Sequence, residues 1–166
     1  MKRRLLPTLL VAFCTTTGAL SAQRLTPEPD LETLHDRLRA HAAAVLQRYG
    51  DTFYALGAYL TPDGKYQEFA TDRWPSLDAP PTAWRDSLVA SFGRARHPAR
   101  AVAILLDLGR PPVPAPAKTA VLFHGETTKT CRALEESYGW RKDGRLRWAR
   151  PVVRACQRLF PTNARG

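Results

Sequence analysis

The chain has 166 residues, 44% of them hydrophobic and 24% charged, with a formal net charge of +10. Beyond residue 22 no apolar run approaches the roughly 18 residues a membrane-spanning helix needs, which excludes a transmembrane anchor in a mature chain cut there. The charge is unevenly placed: residues 23–140 hold 14 basic and 14 acidic side chains, and the remaining excess of +7 lies wholly in residues 141–166, a basic C-terminal segment.

Residues 1–22 read as a Sec-type signal peptide. Lys2, Arg3 and Arg4 precede an apolar run from Leu5 to Phe13, and small residues lead to Ala22. Pro7 and the threonines 15–17 keep that run too short for an uncleaved anchor, and Phe13 before Cys14 argues against lipidation. Cleavage after Ala22 leaves 23–166 as one α+β domain, periplasmic or secreted. A chain of that length can bury about 68 to 70% of its unfolded surface. Cys14 leaves with the peptide, so Cys131 and Cys156 remain to pair as a disulfide in an oxidising compartment.

In chain order, the first predicted element is a helix over 30–49, with Leu31, Leu34, Leu38, Ala42, Val45, Leu46 and Tyr49 on one face and Gly50 as its stop. Aromatic-rich strands at 52–60 and 65–70 flank Thr61, Pro62, Asp63 and Gly64 as a hairpin. A loop with Trp74, Pro75, Pro80 and Pro81 leads to a helix over 82–96 that buries Trp84, Leu88, Phe92 and Ala95 and ends before Pro98. The near-continuous apolar run at 101–108 fits a central strand. Pro111, Pro112, Pro114 and Pro116 stiffen the connection to a strand at 118–124, and more strand follows at 132–141 and 145–149 around Asp143 and Gly144. Pro151 then opens a last helix, in which Arg150, Arg154 and Arg158 recur every fourth residue opposite Val152, Cys156, Leu159 and Phe160. The order α-β-β-α-β-β-β-α gives an α+β fold. It is a single antiparallel sheet of about five strands with helices packed on it, profilin-like or roadblock-like by topological analogy.

The run from Tyr49 to Leu60, and within it and beyond it the pattern Gly57, Ala58, Leu60, Asp63, Gly64, resembles small uncharacterised bacterial α+β domains. In those domains the hairpin is followed by a helix, an apolar strand, a Pro-rich connection and a Lys-Thr opening the next strand, here Lys118 and Thr119. The resemblance spans 31–123 and implies a fold and no activity. The basic C-terminal segment lies outside it.

No Gly-rich phosphate loop, His-Glu-x-x-His helix or Gly-x-Ser-x-Gly elbow occurs, so no cofactor or metal is expected. His35 and His41 stand too far round the first helix to share a ligand face, and His97 precedes Pro98 at a helix end. Only His124 and Glu126 form a local constellation: two apart on a strand, they point to one side, where they could orient a proton transfer or hold a metal. The same pair also fits a strand end turning into a polar loop. Their spacing is that of zinc deaminases, but the Cys-x-x-Cys those enzymes require is absent. Trp140 and Trp148 sit among Arg141, Arg145 and Arg147, whose guanidinium groups could stack on them.

The leading expectation is therefore an exported, non-catalytic binding domain whose basic end contacts an anionic envelope component or an acidic protein, with Arg147, Arg150, Arg154 and Arg158 as the anion-binding residues. Export argues against nucleic acid as a physiological partner. The alternatives are an envelope hydrolase using His124 and Glu126, and a secreted effector or its immunity protein.

Overall fold

The computed structural model describes residues 28–49, 53–109 and 119–160; the expected signal peptide, the Pro-rich stretch 111–116 and Arg165 lie outside them. The elements are α1 (Pro29–Tyr49), β1 (Ala55–Leu60), β2 (Tyr66–Phe69), α2 (Pro81–Ala95), β3 (Ala101–Asp107), β4 (Thr119–Thr127), β5 (Cys131–Trp140), β6 (Leu146–Trp148) and β7 (Val152–Arg154). Pro29 opens α1, with Asp30 and Glu32 in its first turn and Arg48 in its last, each charge placed favourably against the helix dipole. Pro81 likewise starts α2, and Arg96 closes it in the left-handed conformation at φ 50°.

All strands pair antiparallel, in the order β2-β1-β3-β4-β5-β6, and β7 adds to β5. A helix covers each face. Because β3 is central, its side chains alternate between two cores: Ala101, Ala103 and Leu105 meet Leu31, Leu34 and Leu38 of α1, while Val102, Ile104 and Leu106 meet Leu88 and Phe92 of α2. Burial on both faces is why the sequence there is an unbroken apolar run. No helix among the described residues is long and apolar enough to cross a membrane.

The C-terminal end corrects the sequence reading. Among the described residues there are seven strands rather than about five, and the helix expected after Pro151 does not form: Val152–Arg154 make β7, and 155–160 run on without helix. The outer edge of β5 explains the difference. Its second half pairs with β6 at Tyr138–Trp140, which leaves the backbone of Ala133, Leu134 and Glu135 to be satisfied. Val152 and Val153 suit an extended chain better than a helix, and they fill that gap while leaving their own side chains half exposed. One of the apolar residues that suggested a helix face is deeply buried: Phe160 joins the α2-side core and packs edge-on against Phe92 at 5.4 Å.

Gly57 faces Phe69 across the β1–β2 hairpin, and a Cβ there would lie 2.6 Å from the Phe69 ring. Gly57→Ala should therefore cost about 1 to 3 kcal/mol by overpacking. Urea denaturation checks this, and combining Gly57→Ala with Phe69→Leu should cost less than the sum of the two single changes.

Candidate functional site

His124 and Glu126 project from β4 to the α2 side of the sheet, as their spacing requires. The structure brings them together: His124 Nε2 lies 2.9 Å from Glu126 Oε1, with His124 4% exposed and Glu126 fully buried. What covers them is the chain after β7. The backbone N–H of Phe160 donates to Glu126 Oε1 at 3.2 Å, and that of Leu159 donates to the same oxygen. Burial alone would push the Glu126 carboxyl up, but the hydrogen bonds from His124, Leu159 and Phe160 together outweigh it and hold the group below its ordinary value. Glu126 is thus an ionised acceptor that ties residues 155–160 to the sheet as a strap.

The strap has two further ties. The Cys131–Cys156 disulfide joins the first residue of β5 to the chain just past β7, with Cα atoms 5.8 Å apart. Arg158 donates to the carbonyl oxygens of Thr127 at 2.9 Å and Thr128 at 3.2 Å, and its Nη1 stands 3.7 Å from Glu126 Oε2. His124 Nδ1 faces Cys156 Sγ at 3.8 Å.

The three expected anion-binding arginines of the helical stripe are not arranged as helical spacing suggested. Four residues of extended chain cover about 13 Å, against about 6 Å in a helix, so Arg150, Arg154 and Arg158 form no compact stripe. Arg154 pairs with Glu135 at 2.6 Å and holds that carboxyl below its ordinary value, while Arg158 is turned onto the β4–β5 turn. Arg141, Lys142, Arg145 and Arg147 are exposed at or next to the tip of the β5–β6 hairpin, whereas Arg150, also exposed, follows the far end of β6, past Ala149, whose N–H donates to the Ser137 carbonyl oxygen. Gly144, at φ 76°, makes the turn between these strands. Leu146 and Trp148 pack on the α1-side core, so Arg145 and Arg147 turn to the opposite side. Trp148 carries a cation on its ring, but the guanidinium is that of Arg39 from α1, at 4.9 Å. Trp140 is 45% exposed beside the basic turn.

Two features escaped the sequence. On the α1 face, buried Glu136 contacts His35 and lies 3.5 Å from Arg39. The alternation of β5 and the helical face of Leu31, His35 and Leu38 carried that signal, but nothing in sequence joins residues 101 apart. The other is an aromatic cleft of about 250 Å³ between the start of β1, the end of β2 and α2, lined by Leu56, Phe69, Trp74, Trp84 and Leu88 with the His41–Glu68 pair at its rim. Asp72, bonded to Ser91 and Arg94 of α2, fixes the loop that carries Trp74, and the buried Trp84 Nε1 has no hydrogen-bond partner among the described residues.

No family model, curated protein or solved structure matches the chain, so neither the hairpin resemblance nor the profilin-like or roadblock-like analogy gains a named relative.

Proposed function

We propose that this is an exported, non-catalytic binding domain that meets an anionic envelope component or an acidic protein through the end of its β5–β6 hairpin. The observation that carries the reading is the grouping of Arg141, Lys142, Arg145 and Arg147 at that hairpin end, all exposed, with Asp143 as the sole acid in the stretch. Charge at a hairpin tip reaches a flat anionic surface without obstruction from the body of the domain. The disulfide is compatible with an oxidising, extracytoplasmic setting. Burial of His124 and Glu126 beneath the strap leaves a substrate little of either group, which favours binding over hydrolysis.

Retention on vesicles containing an anionic phospholipid, and on immobilised polyglutamate, tests the reading. Near an anionic membrane each basic side chain is worth about 1 kcal/mol, so Gln at Arg141, Arg145 and Arg147 together should weaken vesicle binding by about a hundredfold. Binding should also fall as salt is raised, because screening acts over about 8 Å at physiological ionic strength. Equal retention of the folded triple variant on both probes would overturn the proposal.

A second reading rests on the aromatic cleft lined by Phe69, Trp74 and Trp84, which a small ligand with an apolar body would fit. Quenching of tryptophan fluorescence by such ligands, lost in Trp84→Phe, distinguishes this site from the basic hairpin.

A further inference from the structure

We infer that the strap conceals a redox-gated metal site, in which His124 Nδ1 and the reduced thiolates of Cys131 and Cys156 bind a thiophilic divalent cation of the zinc class. One ligand atom from each of these three residues lies within 4.8 Å of the others. Two ligands at about 2.0 and 2.3 Å from a tetrahedral zinc stand about 3.6 Å apart, and His124 Nδ1 already stands 3.8 Å from Cys156 Sγ.

The second observation is the orientation of the imidazole. The Glu126 carboxylate lies 2.9 Å from His124 Nε2, a placement that favours the ring proton on that nitrogen and leaves Nδ1, 3.8 Å from Cys156 Sγ, as the atom for a metal. A disulfide sulfur has no proton to offer it. A carboxylate on the far nitrogen of a histidine is the usual support of a metal-binding imidazole, and here it is in place before any metal arrives. Pairing of β5 with β4 and β7 holds the two cysteines with Cα atoms 5.8 Å apart, so side-chain rotation alone can part the sulfurs into two ligand positions. Both cysteines are partly exposed, which lets a reductant reach them.

The chemistry balances with a thiol reductant. Two equivalents of a small thiol, or one dithiol, supply two electrons and two protons, break the S–S bond and leave as a disulfide, and two cysteine thiols remain. Binding of the dication then releases both thiol protons to solvent, and the two thiolates neutralise the cation. Sulfur and imidazole donors select zinc-like ions over calcium or magnesium. A fourth position stays open for water or a further ligand.

The test is cobalt(II) titration of the full chain, held under a phosphine reductant without oxygen and compared with the oxidised protein. The reduced protein should develop a near-ultraviolet thiolate-to-cobalt band and the visible bands of tetrahedral cobalt, and zinc should erase them. The oxidised protein should show neither. His124→Ala should bind cobalt at least about tenfold more weakly, since losing a ligand should cost no less than losing its supporting partner. Because reduction can loosen the domain, circular dichroism is followed alongside, and zinc should raise the melting midpoint of the reduced protein alone. No thiolate band in folded reduced protein overturns the inference. So does a reduced chain that zinc leaves unfolded, or affinity unchanged by His124→Ala.

Discussion

Replacing Glu126 with Ala should destabilise the oxidised protein by about 3 to 5 kcal/mol, a large part of the roughly 5 to 15 kcal/mol that holds a domain together. The carboxylate is fully buried and serves His124, the Leu159 and Phe160 N–H groups and the nearby Arg158 guanidinium at once. Alanine leaves buried donors without an acceptor, each costing about 1 to 3 kcal/mol, and opens a void beside Phe160. Glu126→Gln keeps one acceptor oxygen and should cost less, because a neutral acceptor makes roughly half the hydrogen bond of an ionised one. Urea denaturation gives the loss, and amide exchange at Leu159 and Phe160 should speed up well before the rest of the sheet. A loss below about 1 kcal/mol would show that the strap is held elsewhere.

The strap is also where the sequence was least legible. Elements with a strong local period follow the sequence closely: α1 with its leucines, α2 before Pro98, and β3 with an apolar run that two covered faces permit. Pro81, however, expected in the loop, is the first residue of α2, and Tyr49 and Ala95, expected on buried faces, are exposed. Gly57 and Asp63-Gly64 marked the hairpin, and the Phe69 ring over Gly57 gives the first of these a steric reason. The C-terminal segment misled because a fourfold recurrence of arginines coincided with an apolar period. Neither reports on the tertiary event that decided the outcome, an unpaired stretch of β5 edge. Tertiary pairing overrode a helical pattern that local residues alone would have favoured.

The site was legible by the same measure. His124 and Glu126 were found because two residues apart on a strand is a local relation, and the disulfide because two cysteines have one possible pairing. That the pair serves the strap required knowing where residues 159 and 160 go. The Glu136 cluster and the aromatic cleft join residues from distant elements, and no periodicity encodes them. The charge count is legible in sequence, but which arginines are pinned and which point outward followed from β7 replacing a helix.

Replacing both Cys131 and Cys156 with Ser should cost about 3.5 kcal/mol by the chain-entropy relation for a loop of about 26 residues. The more informative result is how this loss combines with Glu126→Ala. If the disulfide acted only on the fully unfolded chain, the two losses would add. Both ties, however, hold the same short segment: the sulfurs fix residue 156, and the carboxylate fixes residues 159 and 160. A strap that has lost enough of its ties can detach as a local unit while the six-stranded path and both helices stay folded. Once it is detached, removing a second tie has nothing left to weaken, so the loss is capped at the energy of docking the strap. The combined variant should therefore fall short of the sum of its parts by more than about 1 kcal/mol, beyond the 0.3 to 0.5 kcal/mol within which independent sites add. Urea denaturation of the four proteins measures this, and limited proteolysis should cut the combined variant near β7 under native conditions. Strict additivity would place the disulfide's effect in the unfolded chain and leave Glu126 as the strap's own anchor.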